Sequence, residues 1–344
     1  MHRFTVASVE VLLLIFSWIG SARANDFYAT KTITIAVGFS AGGDYDLRAR
    51  LLSRHMGRHI PGTPTIVVRN LPGAGGVVAT NWLAKVAPRD GTSLLMASQN
   101  TPLIQALRTP GVEFDARQFS WIGNTTDSPN LISVWGGRGI KNIEDARIRE
   151  VSIGATGVGS GSYYYPLAAN LVGGTKFKIV TGYPGGSDVN LAMERGEVDG
   201  RGSNSLAAWK ATRPDWLANN KLIHLVQIAL SRHSELKNIP LLSDLATTVI
   251  DQQAMRLIAA ETGMARSITT TQDVAGDRVE LLRVAFDATI ADREFLAEAE
   301  QLAFDIAPTN GENVQKIVKD IINAPTAVVE RVRQILDSPG SAKN

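Results

Sequence analysis

Three turns in this sequence combine glycine with hydroxyl side chains directly after an apolar run. Each leads into a stretch with helical spacing. They are residues 38–46 (GFSAGGDYD), 156–162 (TGVGSGS) and 183–187 (YPGGS). A strand that ends in such a turn delivers a helix start to the carboxyl edge of its sheet, where open α/β folds bind ligands. The first N–H groups of a helix have no intrahelical acceptor, and the helix dipole favours an anion there. Glycine lets the backbone approach the ligand, and Ser or Thr hydroxyls add donors. The chemistry on offer is reversible capture of an anion, with no bond made or broken. One charge-assisted hydrogen bond contributes roughly 1.5–3 kcal/mol. Four or five, less the ordering cost, reach about −8 kcal/mol, which is micromolar binding. A single Gly-rich turn is simply how an α/β chain reverses. The signal lies in having three.

Patterns for other chemistry are missing. There is no cysteine, which excludes thiol nucleophiles, thiolate metal sites and iron–sulfur clusters. No G-x-S-x-G elbow and no P-loop occur, although Gly159-Ser160-Gly161 comes near the first. Beyond the amino-terminal segment the histidines are His55, His59, His224 and His233. His55 and His59 have metal-compatible spacing on a helix, but Arg54 and Arg58 flank them and no H-E-x-x-H accompanies them. They read as a half-exposed helix face. Net charge is +2, with Lys and Arg dispersed, so no nucleic-acid footprint is present. No enzyme activity, metal or cofactor is expected.

The elements that would position the turns read as repeated βα units. Strands are predicted at 32–37, 65–68 and 92–97, with helices between them and a Gly-rich turn at 72–76 (PGAGG). The pattern restarts near residue 119, with strands at 120–123, 131–135, 151–155, 177–180 and 222–230, and a helix at 187–195 ending on Gly196. The last hundred residues are mostly helical, at 278–291, 293–303, 311–322 and 326–336. The fold class is therefore α/β in two lobes, each a mainly parallel sheet flanked by helices. Asp46 has two readings: a first-turn acid that complements the helix dipole, or a residue that orients the binding loop or a ligand donor.

At the amino terminus Arg3, an apolar run at 11–19 and Ala22-Arg23-Ala24 have the layout of a secretory signal peptide over 1–24. Export without cysteine implies no disulfides and no lipid anchor, hence a soluble protein.

The motifs also resemble a known family. Phe39-Ser40-Ala41-Gly42-Gly43-Asp44-Tyr45-Asp46 with Arg50 is similar to the P-F-x-x-G-G-x-x-D…R signature of the Bug, or TctC-like, receptors of tripartite tricarboxylate transporters. Residues 68–76 (VRNLPGAGG) resemble that family's V-E-N-R-P-G-A-G-G, and residues 87–92 (APRDGT) its A-P-D-G-Y-T. Tyr183-Pro184-Gly185-Gly186 followed by Gly196-Glu197-Val198-Asp199 is similar to Y-K-G-G…G-x-V-D. The resemblance implies a periplasmic "Venus flytrap", with lobe 1 at 25–122 plus 245–344 and lobe 2 at 123–244. It implies capture of a small carboxylate, handed by a monomer to the transporter's membrane subunits. The alternatives are a ligand sensor for a receptor kinase and a periplasmic α/β hydrolase. From the family's loops and the residues beside them, the ligand-binding candidates are Phe39, Ser40, Ala41, Gly42, Gly43 and Asp46, then Ser98, Gln99, Asn100 and Thr101. Thr156, Gly159, Ser160, Gly161 and Ser162 follow, then Tyr183, Gly185, Gly186, Arg201 and Ser203. Three departures stand out. Gly38 replaces the family's Pro, which suggests a looser first turn. Gly202-Ser203-Asn204 stands where many members carry an aromatic and an acidic residue, which argues against a ligand amine. Arg201 is unusual at its position, and it either reaches a second ligand carboxylate or is a solvated strand-end charge.

Overall fold

The computed structural model describes residues 27–337. The signal peptide expected over 1–24 lies outside them. Two sheets form the frame. The first contains β1 (Thr32–Val37), β2 (Thr65–Asn70), β3 (Ser93–Ala97) and β4 (Ser120–Asn124), and the second begins with β5 (Asn130–Trp135). The second continues with β6 (Val151–Gly154), β7 (Phe177–Val180), β8 (Gly200–Ser205) and β9 (Leu222–Ile228). The chain then returns to the first with β10 (Ser267–Thr270) and β11 (Thr309–Asn310). The strand orders are β11-β4-β10-β3-β1-β2 and β7-β6-β8-β5-β9.

Both sheets are mixed, which corrects the expectation of mainly parallel ones. β1 pairs in parallel with β2 and β3, and β6 with β7 and β8. β10 is antiparallel to both β3 and β4, and β5 is antiparallel to both β8 and β9. The reason is topological. β5 and β10 are the first strands after the chain crosses from one lobe to the other, so neither arrives through a βα crossover. A strand that enters without such a connection is free to run antiparallel.

Helices cover the sheets. In chain order they are α1 (Asp44–His55), α2 (Val77–Lys85), α3 (Thr101–Ala106), α4 (Ile143–Ile148), α5 (Gly161–Gly173), α6 (Gly186–Arg195), α7 (Leu206–Thr212) and α8 (Pro214–Ala218). They end with α9 (Val249–Ala259), α10 (Gly276–Ala291), α11 (Arg293–Gln301), α12 (Gly311–Ile322) and α13 (Thr326–Leu336). None of the described helices is long and apolar enough to cross a membrane. α6 stops on Gly196 at φ 75°, the left-handed cap expected of that glycine. α1 and the 3-10 turn after it, Met56–His59, pack on α11 and its capping residue: His55 Nε2 lies 2.6 Å from Glu298 and His59 Nε2 3.0 Å from Asp292, with the guanidinium groups of Arg54 and Arg58 in the same cluster. The histidine pair that looked metal-compatible is thus part of a helix–helix contact.

The apolar cores follow the sheets, except that one of them also takes in Leu103 of α3 and Ile321 of α12. Ala254, Met255 and Ile258 of α9 and Val332 and Ile335 of α13 join a cluster with Ile132, Ile153, Tyr164 and Leu167 of the second lobe. The carboxy-terminal stretch assigned as a whole to lobe 1 therefore supplies two helices to the core of lobe 2. Heptad-like spacing shows that such a helix has an apolar face, but not which sheet that face covers.

Candidate functional site

β1, β3 and β6 end at the mouth of a cleft between the lobes, and α1, α5 and α6 begin there. The cavity in this cleft measures about 80 Å3. Of the residues expected at the site, Phe39, Gly42, Gly43, Ser98, Gln99, Asn100, Thr156, Ser160, Gly161, Ser162, Gly186, Arg201 and Ser203 line it. The other seven do not. Ser40 and Gly185 meet each other across the seam beside the cleft, and Ser40 Oγ donates to Asp188 at 2.7 Å. Gly159 also lies on this seam, where its carbonyl accepts from Asn100 Nδ2. Thr101 is buried at the start of α3 and donates to the Ser98 carbonyl at 2.7 Å. Ala41 is exposed in its turn, and Tyr183 packs beneath the second sheet near Gly154 and Val180. Asp46 is buried behind the loop. It accepts from Gly42 N–H at 2.8 Å, Arg50 Nε at 2.9 Å and Asn70 Nδ2 at 3.0 Å, so of its two readings the loop-holding one matches its contacts.

The PGAGG turn is part of the same seam. Gly73, Ala74, Gly75 and Gly76 all take positive φ, and a Cβ added at Gly75 would lie 2.7 Å from Ser160 Cβ. Only a residue without a side chain lets this turn rest on the 156–160 loop of the other lobe. Gly38 serves the same packing, since a Cβ there would lie 2.7 Å from Gly76 Cα. The first turn is therefore tight, not loose as the missing proline suggested.

The charged wall was largely invisible in the sequence. Asp44, 8% exposed, bridges two arginines: Arg48 Nε at 3.1 Å and Arg266 Nε at its other oxygen. Burial alone would raise the Asp44 carboxyl, but the charges of Arg266 and Arg48 overcome it and hold it at about 2. Arg266 stacks 4.0 Å from the Tyr45 ring centroid, and Tyr45 leans on Phe39 at 4.7 Å. Arg201 and Arg213 also line the cleft. Burial, with the nearby charge of Arg266, draws the Arg201 guanidinium down to about 9. Among the described residues Arg201 has no ion-pair partner, and its Nη1 donates to Asn190 at 3.0 Å. Sequence reasoning missed Asp44, Tyr45, Asn130, Asn204, Arg213 and Arg266. Asp44 and Tyr45 were legible, since they adjoin Gly43 in the first motif. Arg266 carried no signal, because its partner is 222 positions away.

Behind the cleft a hydrogen-bond chain joins it to a segment crossing between the lobes. Ser203 Oγ donates to Asn130 (2.8 Å), Asn130 Nδ2 to Gln99 (3.1 Å), and Gln99 Nε2 to the Tyr165 hydroxyl (2.8 Å). Tyr165 and Tyr164 both donate to Glu261, which is 0% exposed in the 3-10 turn Ala260–Met264. Burial pushes the Glu261 carboxyl up to about 7, against the donors that favour its charge. The native state therefore holds a proton that the unfolded chain releases above its ordinary value of 4.5. Stability from this group is complete below pH 4.5 and is lost as pH rises through about 7. The span corresponds to about 3 kcal/mol. Glu261→Gln should remove that slope. Denaturant unfolding of both proteins at pH 5 and pH 8 measures it, and an equal loss in the two would show that Glu261 does not titrate with folding.

No family model matches this chain. Protein BugT of Bordetella pertussis is 35% identical over 107 residues, which is 31% of this chain and 32% of BugT. The alignments with this and the next curated relative span only about a third of those proteins' length. Among solved structures, the periplasmic binding protein BugD superposes with a TM-score of 0.69 at 21% identity, over 89% of this chain and 98% of BugD. The chain is similar in sequence to BugT over about a third of its length and has the bilobed fold of the solved periplasmic binding protein BugD. MatC from Rhodopseudomonas palustris, solved with bound malate, gives a TM-score of 0.68 at 19% identity, over 90% of this chain and 99% of that one.

Proposed function

We propose that this protein is a soluble periplasmic receptor that captures a small organic carboxylate and delivers it, as a monomer, to the membrane subunits of a tripartite tricarboxylate-type transporter. The observation that carries the reading is the cleft itself. Three helices of eight residues or more, α1, α5 and α6, start at its rim, and its lining holds three arginines against one carboxylate, Asp44. Helix starts and unneutralised guanidinium groups both favour an anion. Likeness to periplasmic binding proteins supports the compartment and the transporter partner. A ligand that touches both lobes stabilises the closed form over the open one, which is all that closure requires. We place the hinge in the crossing segments 125–129 and 260–266. The N–H groups of Gly43, Gly161, Ser162 and Gly186 would meet the carboxylate.

A thermal-shift screen of mono-, di- and tricarboxylates, aromatic acids included, on protein lacking residues 1–24 tests this. Stabilisation without turnover is expected for at least one acid. Gly43→Val should abolish it while the fold persists, because a Cβ at Gly43 meets only the Ser40 carbonyl, at 3.7 Å, and the added methyls enter the cleft. A variant that still responds fully would remove Gly43 from the site. Uptake assays with the membrane subunits deleted separate transport from delivery of a signal to a receptor kinase.

A further inference from the structure

The hydrogen-bond chain that starts at Ser203 has a direction. Ser203 sits at a bulge in β8, where Leu131 pairs with Asn204 and Ser133 with Arg201, so that two steps on β5 match three on β8. Ser203 and Asn204 both line the cleft, with the starts of α1, α5 and α6. A serine hydroxyl carries one proton. That proton is committed to Asn130 Oδ1 at 2.8 Å, because Asn130 Nδ2 points the other way, to Gln99 Oε1 at 3.1 Å. Gln99 Nε2 in turn donates to the Tyr165 hydroxyl at 2.8 Å, and Tyr165 donates to Glu261. Every donor in the chain thus points toward Glu261, as an ionised carboxylate demands. Ser203 is left with lone pairs for the cleft, where an anion needs a donor.

Glu261 is buried and has no ion-pair partner among the described residues. Tyr164 donates to it at 2.6 Å, Tyr165 and Gln99 share its Oε1, and Tyr45 of α1 lies near enough to feel its charge. Beyond Tyr45, Asp44 and Arg266 are paired with each other. On α9 and α12, which pack on its turn, Asp251 pairs with Arg331, and Arg256, Glu312, Lys316, Lys319 and Asp320 are exposed. A proton on Glu261 allows the whole chain to reverse. The acid donates to Tyr165, Tyr165 to Gln99, Gln99 to Asn130 and Asn130 to Ser203, once the two amides turn over and exchange O and N. Tyr164 keeps its bond to the other carboxyl oxygen. Every contact survives, and the Ser203 proton is released to the cleft.

We propose that the protein takes up a proton with its ligand anion, and that Glu261 is the positioning residue that holds this proton and turns the Ser203 hydroxyl from acceptor to donor through Tyr165, Gln99 and Asn130. The proposal rests on the carboxylate-binding reading above. The proton comes from solvent, stays on Glu261 and leaves when the ligand does. No bond of the ligand changes. Ligand and proton strengthen each other's binding by the same factor. One hydrogen bond from a hydroxyl to a charged group sets that factor at roughly 10- to 100-fold.

Calorimetric titration with butyrate, glutarate and benzoate, all ionised above pH 6.5, tests the coupling. The best binder should lose affinity by about fivefold between pH 6.5 and pH 8. At pH 7.5, titrations in HEPES and in Tris, whose ionisation enthalpies differ, should report uptake of about half a proton or more per ligand. Glu261→Gln carries an N–H where the acid carries its proton. It should bind at pH 8 at least as tightly as the unaltered protein does at pH 6.5, with no pH dependence and no proton uptake. Ser203→Ala should also lose the pH dependence, with the weaker affinity at both pH values. Loss of the Arg201 charge acts only near pH 9 and would persist in Glu261→Gln. Flat affinity without proton uptake in the unaltered protein, or a pH dependence that survives in either variant, overturns the coupling while carboxylate capture stands. If circular dichroism shows that Glu261→Gln does not fold, the proton count and Ser203→Ala decide. Absence of binding by all three acids overturns carboxylate capture itself, and the coupling with it.

Discussion

Asp44→Asn is expected to be the most destabilising single change in the cleft wall, at about 3–5 kcal/mol. The substitution keeps size and shape, so no cavity arises. It removes the one carboxylate that ion-pairs with Arg48 and Arg266 among the described residues, both of them buried. The arginines would then face each other across a neutral amide, and Arg48 Nη2 already has no hydrogen-bond partner among the described residues. A drop in Tm of about 5–15 °C follows for a chain of this size. The pH dependence runs opposite to that of Glu261. A carboxyl lowered to about 2 contributes stability that is present above its ordinary value of 3.8 and is lost as pH falls through about 2. The deficit of the variant should therefore be full at pH 7 and shrink in strong acid. A loss below about 1 kcal/mol at pH 7 would mean that water already neutralises the arginines.

Gly75→Val is expected to have the largest effect on ligand affinity without touching the ligand. Its Cβ would lie 2.7 Å from Ser160 Cβ and 2.8 Å from the Gly159 carbonyl carbon, both in the opposite lobe. Real Cβ atoms do not come this close, so the 72–76 turn must separate from the 156–160 loop. The open form remains available, and the closed form is penalised. Affinity for the best carboxylate should fall by about 100-fold or more, because a ligand that engages one lobe forfeits the contacts of the other. Small-angle scattering should show no compaction on adding ligand. Gly137→Val is the control: φ at Gly137 is 86°, and nothing lies within 4 Å of its added Cβ. It carries the same left-handed strain with no seam to disturb. Equal loss of affinity in the two variants would attribute the effect to backbone strain and remove Gly75 from closure.

The two predictions show how glycine-rich motifs divide their work. Residues 42–43 and 161–162 line the cleft, whereas 74–75 and 159 shape the surfaces on which the lobes meet. In sequence the sets look alike, because both require backbone that approaches something closely. What it approaches, a ligand or the other lobe, is a property of the folded molecule. The same limit applied to β10. Its Ser267-Ile268-Thr269-Thr270 is too short and too polar to announce a buried central strand. It is one only because the chain returns from the second lobe between β3 and β4.

From its order of residues alone this chain determined its α/β rhythm, the turns at the carboxyl ends of its strands, the glycine cap of α6 and the 12-residue helix at Gly311–Ile322. All of these follow from the backbone preferences and apolar periods of neighbouring residues, which act within a few positions. Only the tertiary structure decided that the sheets are mixed, that α9 and α13 belong to the second core, and that Arg266 closes on Asp44. It also decided that a bulge in β8 aims Asn204 at the cleft. Each of these depends on a partner far away in the chain, and a charge or a strand edge carries no local mark of the partner it will meet.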